Sequence, residues 1–196
     1  MKLIYFDGLY ARAESTAMML AHARVQYENE RLGFEEFGKR KAAGEYPNGQ
    51  LPVWVQNGRY MNESLAIIRL VGKQFGYYPP EFDEAAQADA LLDFVNEHLP
   101  QLVTIVFMEK KYDAEGLGRY KTILEKLITF LEKRLAHGHD FLVGNKLTIA
   151  DFETASVVFS HIYNPNYIAG ASFTDAGKKI VAANPRFAAY VERLRV

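Results

Sequence analysis

The spacing of apolar residues changes character along the chain, and the change divides it. Residues 2–7, KLIYFD, have the β-branched and aromatic content of a short buried strand, and GLYA after them reads as a loop. From Arg12 to about Val25 the apolar residues Ala13, Ala17, Met18, Leu20 and Ala21 recur at helical spacing. VQYENERL then predicts a second strand, which completes a strand–helix–strand unit. Residues 34–43 are weakly helical, and PNG is a turn. VWVQNGRYM places Asn57-Gly58 between two apolar runs, a strong short-range hairpin signal. Ser64 to Phe75 predicts another helix. The order is therefore βαβ, α, ββα, an α/β domain over residues 1–78. GYYPPEFDE, with Pro79-Pro80, is a stiff break, so residues 79–82 are expected to be a linker.

Beyond the break every periodic stretch is helical. Residues 83–111, 117–137, 148–163 and 186–195 carry the pattern, with turn signals at Glu115-Gly116, Gly138, Gly144-Asn145 and Asn184-Pro185. The expectation for 83–196 is an all-α domain. Thr148 followed by Asp151 is a capping-box spacing, and Asn184 before Pro185 supplies a helix start.

Composition narrows the function classes. A chain of 196 residues, 49% hydrophobic and 24% charged, is ordinary for a packed globular protein. A net charge of -1 with no gathered basic stripe argues against nucleic acid as a partner. The absence of cysteine excludes disulfides, thiolate metal sites and any mechanism with a protein thiol. The five histidines are scattered, and His137 and His139 read as surface residues of a turn, so no metal site is expected. No apolar run approaches the roughly 20 residues that cross a bilayer, and MKLIYFDG lacks a signal peptide's pattern. The expected location is cytoplasmic, with no membrane partner.

Residues 48–70, NGQLPVWVQNGRYMNESLAIIRL, look like a small-peptide site. Leu51-Pro52 at a strand entry is a candidate cis bond, which would leave the Leu51 N–H and C=O outside the sheet and open to an extended ligand. Ser64 is expected to cap the helix that follows and to offer its hydroxyl and backbone N–H groups to a carboxylate. Glu63 beside it suits an amine.

Several motifs in order, KLIYF, RAEST, GQLPVWV, NESLAIIRLVGKQFG and LVGNKLTIADF, resemble the cytosolic glutathione transferases over nearly the whole chain, most closely the sigma class among the tyrosine-type alpha, mu and pi relatives. The resemblance implies a thioredoxin-like glutathione-binding domain, a helical domain that lines an electrophile pocket, and a homodimer. Glutathione is then a co-substrate, with no further cofactor. It implies Tyr5, in the Tyr5-Phe6 pair, as the hydroxyl that holds the glutathione sulfur as thiolate, the nucleophilic form. The competing reading of Tyr5 is a packed strand tyrosine. Arg12 matches an arginine that supports the active site, with an ion pair to Glu14 or Glu30 as the alternative. The loop DGLYARAE is one residue longer than usual, so Tyr10 lines the electrophile pocket, adds a second hydroxyl or is simply exposed.

For glutathione itself the resemblance implies Gln50 and Leu51 at the cysteinyl unit, Pro52 in the turn, and Glu63 and Ser64 at the γ-glutamyl end. Glu63 departs from the glutamine usual in the nearest classes. Phe37 and Lys41 keep the spacing of the glycyl-carboxylate pair, with Lys39 and Arg40 as competing cations. Asp93 matches an aspartate that reaches the partner subunit's γ-glutamyl amine, or else is a solvated helix carboxylate. Phe6, Tyr10, Met108, Tyr112 and Tyr163, with Ile162 behind, are the candidates for the electrophile pocket, although core packing explains the helical ones equally. The activity implied is conjugation of glutathione to a small hydrophobic electrophile. The alternatives are a glutathione-dependent prostaglandin D isomerase or peroxidase, and a non-catalytic ligand-binding or lens-crystallin-like member.

Overall fold

A computed structural model describes residues 1–195, so residue 196 of the expected helical domain lies outside the described residues. The chain divides into two compact units, Met1–Tyr78 and Pro79–Val196.

The first unit is built on a four-stranded sheet in the order β2-β1-β3-β4. β1 (Lys2–Phe6) runs parallel to β2 (Glu28–Leu32) and antiparallel to β3 (Val53–Gln56), which turns back into β4 (Arg59–Met61). Asn57 and Gly58 both have positive φ, the left-handed pair that a tight hairpin requires. Leu3, Ile4 and Tyr5 are all buried, so β1 is covered on both faces rather than alternating. α1 (Glu14–His22) and α3 (Ser64–Phe75) pack against each other, and α3 buries the stripe Ile67, Ile68, Val71 and Gly72. The first helix starts two residues later than its apolar pattern predicts, because residues 11–13 form the turn beneath Tyr5. The second strand likewise begins at Glu28, since Val25 closes the α1 end by donating to the Leu20 carbonyl.

α2 (Phe34–Ala42) buries no residue completely. Charge anchors it instead: Arg40 reaches Glu30 on β2 at 2.7 Å, Glu36 at 2.8 Å and Glu45 at 3.5 Å, and Lys2 joins the network through Glu30.

The second unit is helical throughout: α4 (Phe82–Val103), α5 (Ala114–Arg134), α6 (Ile149–Val157), α7 (Ala171–Ala182) and α8 (Pro185–Arg193). α4 takes in residue 82 from the expected linker. α4 and α6 each run on into one π-helical stretch, Thr104–Met108 and Val158–Ile162, a feature that apolar spacing does not announce. The expected turn at Glu115-Gly116 is instead the first turn of α5. Asp113 caps it by accepting the Gly116 N–H at 3.0 Å, and a Cβ at Gly116 would lie 1.9 Å from the Lys111 carbonyl oxygen. α7 was not anticipated. Its buried positions are Phe173, Thr174, Gly177, Ile180 and Val181, and a polar residue and a glycine break the apolar signature.

α6 is buried at every position, and Asp151 is its anchor. The carboxylate accepts from Leu142 N–H (3.0 Å), Thr148 N–H (2.8 Å), Thr148 Oγ1 (2.9 Å) and Tyr190 Oη (2.8 Å). The capping box expected from Thr148 and Asp151 is present. No helix among the described residues is long and apolar enough to cross a membrane, and among them no group of three or more His, Asp or Glu side chains could hold a metal ion.

Candidate active site

Tyr5 lies where β1 pairs in parallel with β2, opposite Arg31. Its ring is buried, with the Arg31 guanidinium 5.8 Å from the ring centroid and Phe6 packed edge-on at 5.6 Å. Arg31 is held there by Glu14 at 2.9 Å. The Arg12 backbone N–H donates to the Tyr5 hydroxyl at 3.2 Å. Burial pushes the phenol pKa up to about 12, against the opposing pull of that N–H and the nearby cations. The group is therefore a neutral O–H at physiological pH. Its oxygen accepts one bond, and its proton is committed to no other described residue.

Arg12 bears on this tyrosine through its backbone. The side chain is exposed, and neither expected ion pair forms, because Glu14 is taken by Arg31 and Glu30 by Lys2 and Arg40. Tyr10, in the lengthened loop, is also exposed.

A second cluster joins α2 to the turn before β3. Phe37 sits between Phe6, 4.9 Å away and edge-on, and Tyr46, stacked at 5.9 Å. Lys41 lies over the Phe37 ring at 5.8 Å, with its stem against Gly49. Of the three adjacent cations, Lys39 is paired with Glu35 and Arg40 with three glutamates. Lys41 has no acidic partner among the described residues, so the structure separates it from its competitors.

Leu51-Pro52 is cis, as expected at this strand entry. Leu51 is buried and lies before the ladder, whose last rung pairs Val53 with Ile4. Gln50 is exposed beside it.

At α3 the capping expectation is corrected. Ser64 is the first helical residue, and the cap position falls on Glu63, with no side chain capping the helix. Glu63 has φ 68° and ψ 107°, a backbone state that residues other than glycine seldom adopt. The helix begins at Ser64, as its apolar pattern predicts, but that conformation moves the cap position one residue upstream, from Ser64 to Glu63. The Ser64 hydroxyl is thus not consumed as a cap, and the first-turn N–H groups of α3 lack a side-chain acceptor. The Glu63 carboxylate is exposed. Its Oε1 accepts from Asn48 Nδ2 at 2.8 Å and from Asn62 Nδ2 at 3.4 Å.

Tyr5, Arg12, Phe37, Lys41, Gln50, Leu51, Pro52, Glu63 and Ser64 all belong to the first unit, which offers a cation without an acidic partner, a helix start without a side-chain cap, a carboxylate with one oxygen unpaired and a phenol proton without an acceptor among the described residues. Models of the glutathione S-transferase N-terminal domain and C-terminal domain match residues 1–73 and 101–193. A probable glutathione S-transferase 6 of Caenorhabditis elegans is 35% identical over 156 residues, 76% of this chain and 74% of that protein. The chain belongs to the glutathione S-transferase family. An S-crystallin, SL11, of Nototodarus sloanii is 27% identical over 198 residues, 97% of this chain and 95% of its own. Among solved structures, the glutathione S-transferase of Ascaris lumbricoides superposes with a TM-score of 0.81 at 26% identity, covering 99% of this chain and 90% of that one.

The remaining candidates lie on the second unit. Asp93 is exposed on α4. Met108 is 76% exposed at the end of the π-helical stretch after α4, whereas Ile162 is fully buried. Tyr112 is partly exposed, and its hydroxyl donates to the Val106 carbonyl at 2.8 Å, which fixes that stretch. Tyr163 is half-buried beneath the Arg195 guanidinium, 4.5 Å from its ring centroid. Sequence reasoning missed Arg31, Tyr46 and Asn48. Arg31 meets Tyr5 only through strand register, Tyr46 meets Phe37 only through the fold, and Asn48 reads locally as an ordinary turn residue.

Proposed function

We propose that this family member is a glutathione transferase of the tyrosine type, in which Tyr5 stabilises the glutathione thiolate. The observation that carries the reading is the state of the Tyr5 hydroxyl: it is neutral, oriented by the Arg12 N–H, and holds a proton that no described residue accepts. Donated to sulfur, that proton favours the thiolate over the thiol. Lowering a thiol pKa from about 8.5 to about 6.5 raises the thiolate fraction at pH 7 roughly 25-fold. The N–H bond to the phenol oxygen polarises the hydroxyl and strengthens its donation.

The peptide is held by charges placed around this proton. Lys41, beside Phe37, takes the glycyl carboxylate. Leu51 pairs its backbone with the cysteinyl unit, flanked by Gln50 and Pro52. The first turn of α3 with Ser64 takes the γ-glutamyl carboxylate, and Glu63 takes its ammonium by a charge-assisted bond. The thiolate attacks a small hydrophobic electrophile, with Phe6, Tyr10, Met108, Tyr112 and Tyr163 as the residues that choose it. Sigma-class character, a cytoplasmic location and a homodimer completed by Asp93 belong to the same reading, as do isomerase or peroxidase use of the same thiolate. The likeness to an S-crystallin supports a second reading, a structural member without catalysis.

The test is retention on immobilised glutathione with conjugation of an aryl halide, comparing the native chain with Tyr5→Phe. Conjugation at pH 7 should fall about 10- to 100-fold, and the deficit should shrink above the thiol's own pKa. Undiminished conjugation would move the chemistry to another hydroxyl, with Tyr10 the first candidate. Retention without any conjugation by the native chain would favour the structural reading. In parallel, Asp93→Ala should weaken retention while sedimenting as the native dimer does.

A further inference from the structure

Asn48 uses both ends of its amide in the peptide site. Nδ2 donates to Glu63 Oε1 at 2.8 Å, and Oδ1 accepts the Gln50 backbone N–H at 3.1 Å. One side chain thus ties the turn that carries Gln50 and Leu51 to the residue before α3, 15 positions along the chain. Asn62 Nδ2 approaches the same oxygen of Glu63 at 3.4 Å. Both amide donors converge on Oε1, and Oε2 has no partner among the described residues.

Resting on the glutathione reading above, we propose that Asn48 is a positioning residue for the amine end of the ligand: it pins Glu63 by one oxygen and leaves the other to receive a primary ammonium. An exposed glutamate samples several rotamers and loses that freedom when it captures a ligand. A neighbour that fixes the carboxylate beforehand removes part of that loss, which raises affinity without touching the ligand. An amide suits the task because it donates without bringing charge. A cationic residue at 48 would compete with the ligand's ammonium, and a hydroxyl residue would be too short to span from the turn to Glu63. Glu63 enters the helix from a left-handed conformation, so its side-chain direction is set by its contacts rather than by a regular helical or strand geometry. The residue that carries the open oxygen immediately precedes the uncapped first turn of α3. A group bearing both an α-ammonium and an α-carboxylate meets complementary charge at each end. The selectivity this confers is for ligands whose γ-glutamyl head keeps its free amine.

Calorimetric titration of the full chain with two ligands tests the assignment: glutathione, and its analogue lacking the amine, glutaryl-cysteinylglycine. Asn48→Ser keeps an oxygen that can accept the Gln50 N–H but cannot reach Glu63. We expect its glutathione Kd to rise about five- to tenfold, the scale of ordering one flexible side chain on binding, while the analogue's Kd stays within about twofold. The KM for glutathione should rise in step, with kcat at saturation unchanged. Asn48→Ala, which also loses the turn bond, should weaken both ligands. In a Glu63→Gln background the serine substitution should add nothing for glutathione. Equal weakening of the two ligands by Asn48→Ser, or an unchanged glutathione Kd, overturns the proposal and leaves the glutathione reading standing. If the native chain binds neither ligand, that reading falls and takes the proposal with it.

Discussion

Two carboxylates, one in each unit, show how the same chemical group is put to opposite uses. Asp151 is fully buried and receives four hydrogen bonds from three segments of the helical unit. Glu63 is exposed and uses one oxygen. Burial raises the Asp151 pKa, and its four donors hold it down, so its bonding capacity is spent on the fold. For Glu63 the open oxygen is the useful part. A group saturated by its own chain stabilises structure, whereas one left half-used is available to a ligand. Tyr5 and Lys41 share the Glu63 pattern, each with a committed side and an open one.

The largest expected effect tests the saturated end of this comparison. Asp151→Ala strands four donors in a dry interior and should cost about 3–5 kcal/mol in urea unfolding, enough to abolish soluble expression if the protein is of ordinary stability. Tyr190→Phe removes one donor and should cost about 1 kcal/mol. If Glu63→Ala proved as costly as Asp151→Ala, the contrast would be broken, because Glu63 would then be a structural carboxylate as well.

How far the chain announced these roles follows the same division. Asp151 was legible because its cap is local: Thr148 and Asp151 are three residues apart, and the helix between them imposes the geometry. The helical character of the second unit was legible too, except for α7. There Gly177 is needed because a Cβ would come within 3.0 Å of Ile162 and 3.1 Å of the Tyr120 hydroxyl, so packing removed the apolar residue that would have marked the helix. In the first unit the order of elements along the chain and the hairpin followed from period and turn chemistry. The cap of α3 did not, because a positive φ at Glu63 is not advertised by a glutamate. Spacing from Phe37 pointed to Lys41 but could not remove Lys39 and Arg40 as competitors, since the glutamates that claim them come from α2, β2 and the loop beyond. Asn48 was hidden for the same reason, as its partner is distant in sequence.

His161 sharpens the comparison from inside the helical unit, as a buried group left incompletely partnered. Its Nδ1 meets the Tyr167 hydroxyl at 2.9 Å, and its Nε2 has no partner. Burial lowers its pKa from 6.5 to about 4. In the fold the ring is neutral, whereas the unfolded chain takes up a proton below about pH 6.5. Stability from this residue is fully present above pH 6.5 and is lost as pH falls toward 4, a loss of about 3 kcal/mol at the lower end. Urea unfolding at pH 7 and pH 4.5 should show it in the native chain and not in His161→Gln. An equal pH slope in both would place the acid sensitivity elsewhere.

Lys41 carries the smallest expected effect and the finest test of a half-used group. Its ammonium is exposed, so water screens whatever carboxylate it meets, and an exposed ion pair contributes little, about 0.2–1 kcal/mol. Lys41→Ala should therefore raise the KM for glutathione only about two- to fivefold, with no change in kcat and none in thermal stability, because no acid within the chain depends on it. The effect should fade in 0.5 M salt, where the Debye length is only a few ångströms. Lys39→Ala makes the control. It removes the same charge from the same helix, but from a side chain already paired with Glu35 at 2.7 Å. Equal KM effects in the two variants would mean that the ligand senses the total charge of α2, and Lys41 would lose its separate role. A larger effect in Lys41→Ala assigns the glycyl carboxylate to the one cation of the three without an acidic partner among the described residues.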